Sequence, residues 1–241
     1  MKVSVVIPAF NEEKLLPSTL ASVNQARQGF ADLGWDSELI VCDNNSTDRT
    51  AEVARQGGAL VVFEPVNQIG RARNTGAAAA TGDWILFVDA DSRPTRALFA
   101  AAVEAAASGR FVALGSTVRL DAGGAIWKVL ASLWNLMSRL GRLLAGSFIM
   151  VDRAVFQKLG GFDLRLYAAE EIDLTHRLKK LGREQGRKVQ ILHRYPLETS
   201  ARKAELYSSR ELLSFFVRSI LRPFATVTRR EDCAPWYDGR R

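Results

Sequence analysis

Asp89-Ala90-Asp91 comes directly after the apolar run Trp84-Ile85-Leu86-Phe87-Val88. The run reads as a buried strand, and two acids at a strand tip call for a cation. Carboxylates one residue apart can share a divalent ion with a diphosphate, because such hard cations take carboxylate and phosphate oxygens together. The tripeptide alone is common. Two more polar clusters, however, follow apolar runs: Pro8-Ala9-Phe10-Asn11-Glu12-Glu13 and Asp43-Asn44-Asn45-Ser46-Thr47-Asp48. Asp43 at a strand tip can accept the N–H of a nucleobase. Ser46 to Asp48 read as a turn and helix cap, for which these residue types are locally favoured.

Three other groups could act with these acids. Arg71, Arg73 and Asn74 open a helix after Asn67-Gln68-Ile69-Gly70, and a helix N-terminus with guanidinium groups suits an anion such as a diphosphate. The alternative reading is a solvated basic helix end. Glu170-Glu171-Ile172-Asp173 places three acids in four residues. They either complement the helix dipole or supply a general base, since crowded acids have raised pKa values. Gly160-Gly161-Phe162-Asp163 would form the tight turn that presents this helix. His193 is a structural histidine or, in the sharper reading, a third metal ligand.

Alternating elements must position these groups. Strands are expected over residues 3–7, 38–42, 59–63, 84–88 and 111–114. Helices are expected over 15–27, 50–56, 70–80 and 96–107. The alternation predicts an α/β fold, a mostly parallel sheet with helices on both faces. Ligands of such sheets bind at the carboxyl ends of the strands, and all three polar clusters fall there. After about residue 115 the alternation stops. A helix over 126–144 carries an apolar stripe at Ile126, Leu130, Leu133, Met137, Leu140 and Leu144, and no acid occurs between Asp121 and Asp152. Residues 148–151 read as a strand, 153–159 and 170–181 as helices, and 189–192 as a last strand.

The chain has 241 residues, of which 47% are hydrophobic and 24% charged, as in ordinary globular proteins. Cys42 and Cys233 are too few and too far apart for a disulfide scaffold or zinc site. The N-terminal apolar stretch is too short for a signal peptide, and no apolar run reaches transmembrane length. Residues 176–230 hold 14 Lys or Arg against 4 Asp or Glu, a balance of +10 within a chain of net charge +7. The remainder is therefore near −3, and the basic end predicts an anionic partner. The stripe over 126–144 reads either as core or, with Trp127, Trp134 and a basic flank, as an interfacial helix. Residues 212–224 form a second basic, aromatic stretch. These features suggest a cytoplasmic protein, peripheral on the inner face of an anionic membrane. We expect a domain over 1–200 and a basic extension over 201–241.

In order and spacing, six segments resemble the family 2 glycosyltransferases, which have the GT-A fold. They are Val5-Val6-Ile7-Pro8-Ala9-Phe10-Asn11-Glu12, Val41 to Thr50, Gly70 to Gly76, Phe87 to Asp91, Gly160 to Asp163, and Glu170 to Leu174. The resemblance covers roughly residues 1–182. It implies that Pro8, Ala9, Asn11 and Glu12 line a nucleotide pocket and that Asp43 contacts the base, usually uracil. Arg71 and Asn74 would sit near the diphosphate, and Asp89 with Ala90 near the ribose or donor sugar. Asp91 would ligate Mg²⁺ or Mn²⁺, with Asp89 and His193 as further candidates. The family usually has Glu-Asp where this chain has Glu170-Glu171. Glu171 is the expected base, with Glu170 or Asp173 in reserve. The implied reaction is an inverting transfer from a nucleotide sugar to an unidentified acceptor. A nucleotidylyltransferase would want a Gly-rich basic loop after the first strand, and the loop here is acidic. A non-catalytic nucleotide-sugar or membrane-binding module would bind without turnover. Nucleic-acid binding leaves the acidic crevice unexplained and is not expected.

Overall fold

The computed structural model describes residues 1–202 and 227–233. Its strands are β1 (Lys2–Ala9), β2 (Asp36–Asp43), β3 (Leu60–Phe63), β4 (Trp84–Val88), β5 (Ser92–Arg93), β6 (Phe111–Leu120), β7 (Phe148–Asp152) and β8 (Lys188–Thr199). Its α-helices are α1 (Leu16–Ala26), α2 (Gln28–Ala31), α3 (Thr50–Gln56), α4 (Ile69–Ala78), α5 (Arg96–Ala107), α6 (Ala125–Gly141), α7 (Arg153–Lys158) and α8 (Glu170–Glu184). The strands make one sheet in the order β3-β2-β1-β4-β7-β6-β8-β5. The first four run parallel, β7 is antiparallel to both β4 and β6, β6 and β8 are parallel, and β5 is antiparallel to β8. This is the expected α/β sheet flanked by helices.

Strand alternation separates two cores. Val3, Val5 and Ile7 of β1 turn to one face, against Leu16, Leu20 and Val23 of α1 and Leu98, Phe99 and Val103 of α5. Val6 turns to the other, which holds Ala77 of α4, Phe156 of α7 and Leu174 and Leu178 of α8. Parallel register brings the polar clusters together: Ala9 pairs with Asp43, and Val6 with Phe87 two residues before Asp89. The tips of β1, β2 and β4 therefore share one rim.

The second half departs from the expected boundaries. β6 continues to Leu120 and β8 to Thr199, because the two strands satisfy each other's backbone groups across a large bulge. Ser116 pairs with Leu192 and Val118 with Leu197, so residues 193–196 bulge out opposite Thr117. β5 was not expected; at two residues it is too short for a periodic signal.

α6 packs the reverse way from a core helix. Toward β6 it turns Asn135, whose amide donates to the Val118 carbonyl at 2.8 Å and accepts the Val118 N–H at 2.9 Å. Ser138 is buried on the same side, while Ile126, Val129, Leu130, Leu133, Leu136, Met137 and Leu140 are all exposed. The core reading of the stripe is thus excluded, except for Leu144, which lies past the helix and is buried. Among the described residues no helix is long and apolar enough to cross a membrane. Residues 212–224 lie outside the described residues, as does most of the expected extension over 201–241.

Candidate active site

Two loops at the rim are laced together by short polar side chains. The Asn11 N–H donates to Ser46 Oγ at 3.0 Å, the Thr47 N–H to Asn11 Oδ1 at 2.8 Å, and the Glu12 N–H to Thr50 Oγ1 at 2.8 Å. Asn11 and Asn45 have φ of 52° and 64°, the left-handed region that asparagine tolerates. Ser46, Thr47 and Asp48 therefore build the loop, as the turn reading expected. Asp43 is buried and takes the Ser46 N–H at 3.0 Å, which fixes its carboxylate at the tip of β2.

The acid loop after β4 is held by backbone. The Ala90 carbonyl accepts Thr19 Oγ1 at 2.7 Å, and the Asp91 carbonyl accepts the Ser200 N–H at 3.1 Å. Its carboxylates meet two arginines. Arg73 Nη2 bonds Asp89 Oδ1 at 3.1 Å, and Arg73 Nη1 bonds Glu170 Oε1 at 2.7 Å. Arg202 grips Glu12 with both Nη atoms, at 2.9 and 2.7 Å, and places Nη2 3.8 Å from Asp91.

Arg73 is 1% exposed and forms the centre of the site. Its guanidinium lies over the Phe162 ring, 5.3 Å from the centroid, and Nη2 also bonds the Gly146 carbonyl at 3.1 Å. A Cβ at Gly146 would come within 2.8 Å of that nitrogen, so a glycine is needed for the approach. Burial opposes the charge, but Asp89 and Glu170 outweigh it, and the group is held more firmly cationic than a free arginine. One cation thus ties the acid loop of β4 to the start of α8.

Glu171 lies beside this pair. Burial and the neighbouring Glu170 push its carboxyl up to about 8, with Arg73 acting in the opposite direction. A base with such a pKa is poised for proton transfer near neutrality. Glu170 has its carboxylate committed to Arg73. Asp173 pairs with Arg177 at 2.7 Å, and Arg177 in turn caps the Leu159 and Gly161 carbonyls. Of the three acids expected at this helix start, Glu170 and Asp173 are each paired with an arginine.

Three of the expected residues are given partners of their own. Asn74 was expected near the nucleotide and diphosphate; its amide donates to the Phe162 carbonyl at 3.0 Å and accepts the Phe162 N–H at 2.9 Å. It clamps the Gly160-Gly161-Phe162 turn, where a Cβ at Gly161 would come within 2.5 Å of its Oδ1. Arg71 Nε is turned to Gln68 Oε1 at 3.1 Å. His193, offered as a metal ligand, sits in the β8 bulge and lines a pocket with Arg139 and Arg142 that contains no carboxylate. Sequence reasoning missed the partners of two arginines. Arg73 was read with Arg71 and Asn74 as a candidate for an anion, and its burial had no signal beyond the small residues around it. Arg202 lies 190 positions from Glu12, and nothing local announces the pair.

The donor set fits a metal that arrives with its ligand. Among the described residues no three His, Cys, Asp or Glu side chains gather into a cage. Asp91 faces the Arg202 guanidinium at 3.8 Å, and Asp89, two residues earlier, faces Arg73. Mg²⁺ and Mn²⁺ need only one or two carboxylates when phosphate oxygens and waters complete the octahedron.

Comparison with known proteins follows the same line. The sequence pattern of Glycosyl transferase family 2 matches residues 4–160. A dolichol-phosphate mannosyltransferase of Pyrococcus furiosus is 30% identical over 191 residues, 73% of this chain and 49% of that protein. An uncharacterized glycosyltransferase of Mycobacterium tuberculosis is 42% identical over 89 residues, 37% of this chain and 36% of its own. The chain thus spans between 36% and 49% of the length of these two relatives. Among solved structures, a mannosyltransferase from Pyrobaculum calidifontis in complex with GDP-Man and Mn²⁺ superposes with a TM-score of 0.68 at 21% identity, covering 91% of this chain and 61% of that one. S. aureus TarS 1-349 in complex with UDP-GlcNAc gives a TM-score of 0.65 at 21% identity, covering 98% and 69%. At these identities the likeness speaks for the fold.

Proposed function

Because the chain belongs to Glycosyl transferase family 2, matched over residues 4–160, we propose that it is an inverting, metal-dependent glycosyltransferase. It moves a sugar from a nucleoside diphosphate donor, with UDP as the expected carrier, to an acceptor hydroxyl. The observation that carries this reading is the Arg73 bridge between Asp89 and Glu170. It supports the reading because one guanidinium joins the acid loop after β4, read as the donor side, to the start of α8, read as the base-bearing helix.

Asp43 would orient the base, with Pro8, Ala9, Asn11 and Glu12 forming the wall beside it. Asp89 and Ala90 would lie along the ribose and donor sugar. Asp91, with Asp89, would hold Mg²⁺ or Mn²⁺, which when bound neutralises charge on the departing diphosphate. Glu171 takes the proton of the acceptor hydroxyl as its oxygen bonds to the anomeric carbon. The bond from that carbon to the diphosphate breaks on the opposite face, which inverts the configuration. The enzyme works at the inner face of a membrane, on an acceptor carried by a lipid or a polysaccharide.

Calorimetric titration of UDP, GDP and CDP, each with and without Mn²⁺, tests the donor half. Wild-type protein should bind one nucleotide in a metal-dependent manner, and Asp91→Ala should lose the metal dependence. Silence toward all three nucleotides would end this reading.

A further inference from the structure

The outward face of α6 has no use in the reaction just described. The seven exposed apolar residues, Ile126 to Leu140, recur at helical spacing and form one stripe. The helix cannot simply roll this stripe inward. Asn135 makes two hydrogen bonds with the Val118 backbone, and Ser138, buried on the same side, donates to the Leu143 carbonyl at 2.6 Å. Rolling would bury apolar groups only by stripping these polar ones of their partners. A continuous exposed apolar stripe held in this way marks a contact surface.

Charge identifies what it contacts. Residues 122–151 contain no acid at all. At the C-terminal end of α6, Leu136, Leu140, Arg139 and Arg142 join Gln190 and His193 of β8 around a cavity of about 320 Å³. Arg142 holds its position with φ of 48°, a left-handed conformation unusual for its type. Lys179 of α8 caps the Gly141 carbonyl nearby. Its ammonium is held below the usual lysine range by burial and by the cations Arg142 and Arg183. Two leucines and two arginines, unrelieved by any lining carboxylate, match a phosphate headgroup whose chains lie along an apolar stripe.

We propose that the pocket between α6 and β8 is a binding site for the phosphate headgroup of an anionic membrane lipid, with the exposed face of α6 lying in the membrane surface. This rests on the peripheral reading of the enzyme and gives it an address. His193, set in the bulge of β8, and Arg139 and Arg142 take the phosphate. The leucines face the acyl region.

Flotation of the full chain with phosphatidylglycerol-containing and pure phosphatidylcholine vesicles tests this at low salt. Wild-type protein should float with the anionic vesicles and much less with the neutral ones. Arg139→Gln/Arg142→Gln should weaken partitioning to anionic vesicles on the order of 30-fold, and Leu133→Ser/Leu140→Ser should abolish it. Nucleotide titration of the same variants should match wild type, which shows that they are folded and separates this site from the transfer reaction. Failure of wild type to float would overturn the membrane reading along with the site. Flotation that both double variants retain would overturn the site alone. If inorganic phosphate displaced neither protein population from vesicles but a dimer, broken by the leucine variant, appeared on sizing columns, the stripe would belong to a second copy and the proposal would fall.

Discussion

At the residue scale, four carboxylates of the candidate site are kept different by their neighbours. Glu12 and Glu170 are each given an arginine, Asp91 faces the rim, and Glu171 is left to hold its proton. The same chemical group thus differs in behaviour from place to place, because each carboxylate has a different neighbour. A base acts only when deprotonated, and Glu171 is pushed up to about 8. We therefore expect kcat to rise with pH through about 8 and to level off above it. Glu171→Gln should lower kcat by about 10²- to 10⁴-fold and leave nucleotide affinity unchanged. A rate insensitive to this substitution would move the base elsewhere.

At the element scale, the site depends on connections made far from it. β1, β2 and the turn before β4 are tied by Glu38, which accepts Lys2 Nζ at 2.8 Å, Ser4 Oγ at 2.5 Å and the Thr81 N–H at 2.8 Å. Burial alone would raise its carboxyl, but these donors hold it down to about 2. The unfolded chain takes up that proton near the ordinary 4.5, so the stabilisation is complete above about 4.5 and is lost as pH falls toward 2. Glu38→Gln should destabilise the protein by about 2 kcal/mol at neutral pH and flatten its stability profile between those values. Denaturant melts at stepped pH would measure both. Asn74 acts similarly on the other face, since its amide fixes the turn that carries Phe162 under Arg73.

At the scale of the whole molecule, three strand tips, one helix start and the segment after β8 close on one crevice, and a ligand there should couple them. A nucleoside diphosphate with Mn²⁺ at about 100 times its Kd adds about 2.7 kcal/mol to folding stability. For a chain of this size that corresponds to a Tm rise of roughly 5–10 °C. Asp91→Ala should lose most of the metal-dependent part of that rise in a thermal-shift assay. An equal rise in the variant would remove Asp91 from the metal site. The charge division fits the same picture: acids cluster at the strand tips, and Arg139 and Arg142 line the pocket between α6 and β8.

Much of this protein is legible in its sequence. The βα alternation of the first 110 residues, and with it the convergence of the Asn11, Asp43 and Asp89 clusters, follows from local periodicity and strand-end position. Apolar period and turn residues act within a few positions, so they can be read without coordinates. The resemblance to family 2 added the role of the Glu170-Glu171 helix start. What only the tertiary structure decided are pairings across long stretches of chain: Arg202 with Glu12, Arg73 with Glu170, β8 with β6, and Asn135 with Val118. Their free energy arises only once both partners are brought together and desolvated, so neither partner's own neighbourhood carries a trace of it. The direction of α6 shows the same limit. Periodicity established an apolar stripe, but which side of the helix met the sheet was settled by one asparagine and a strand more than a dozen residues away.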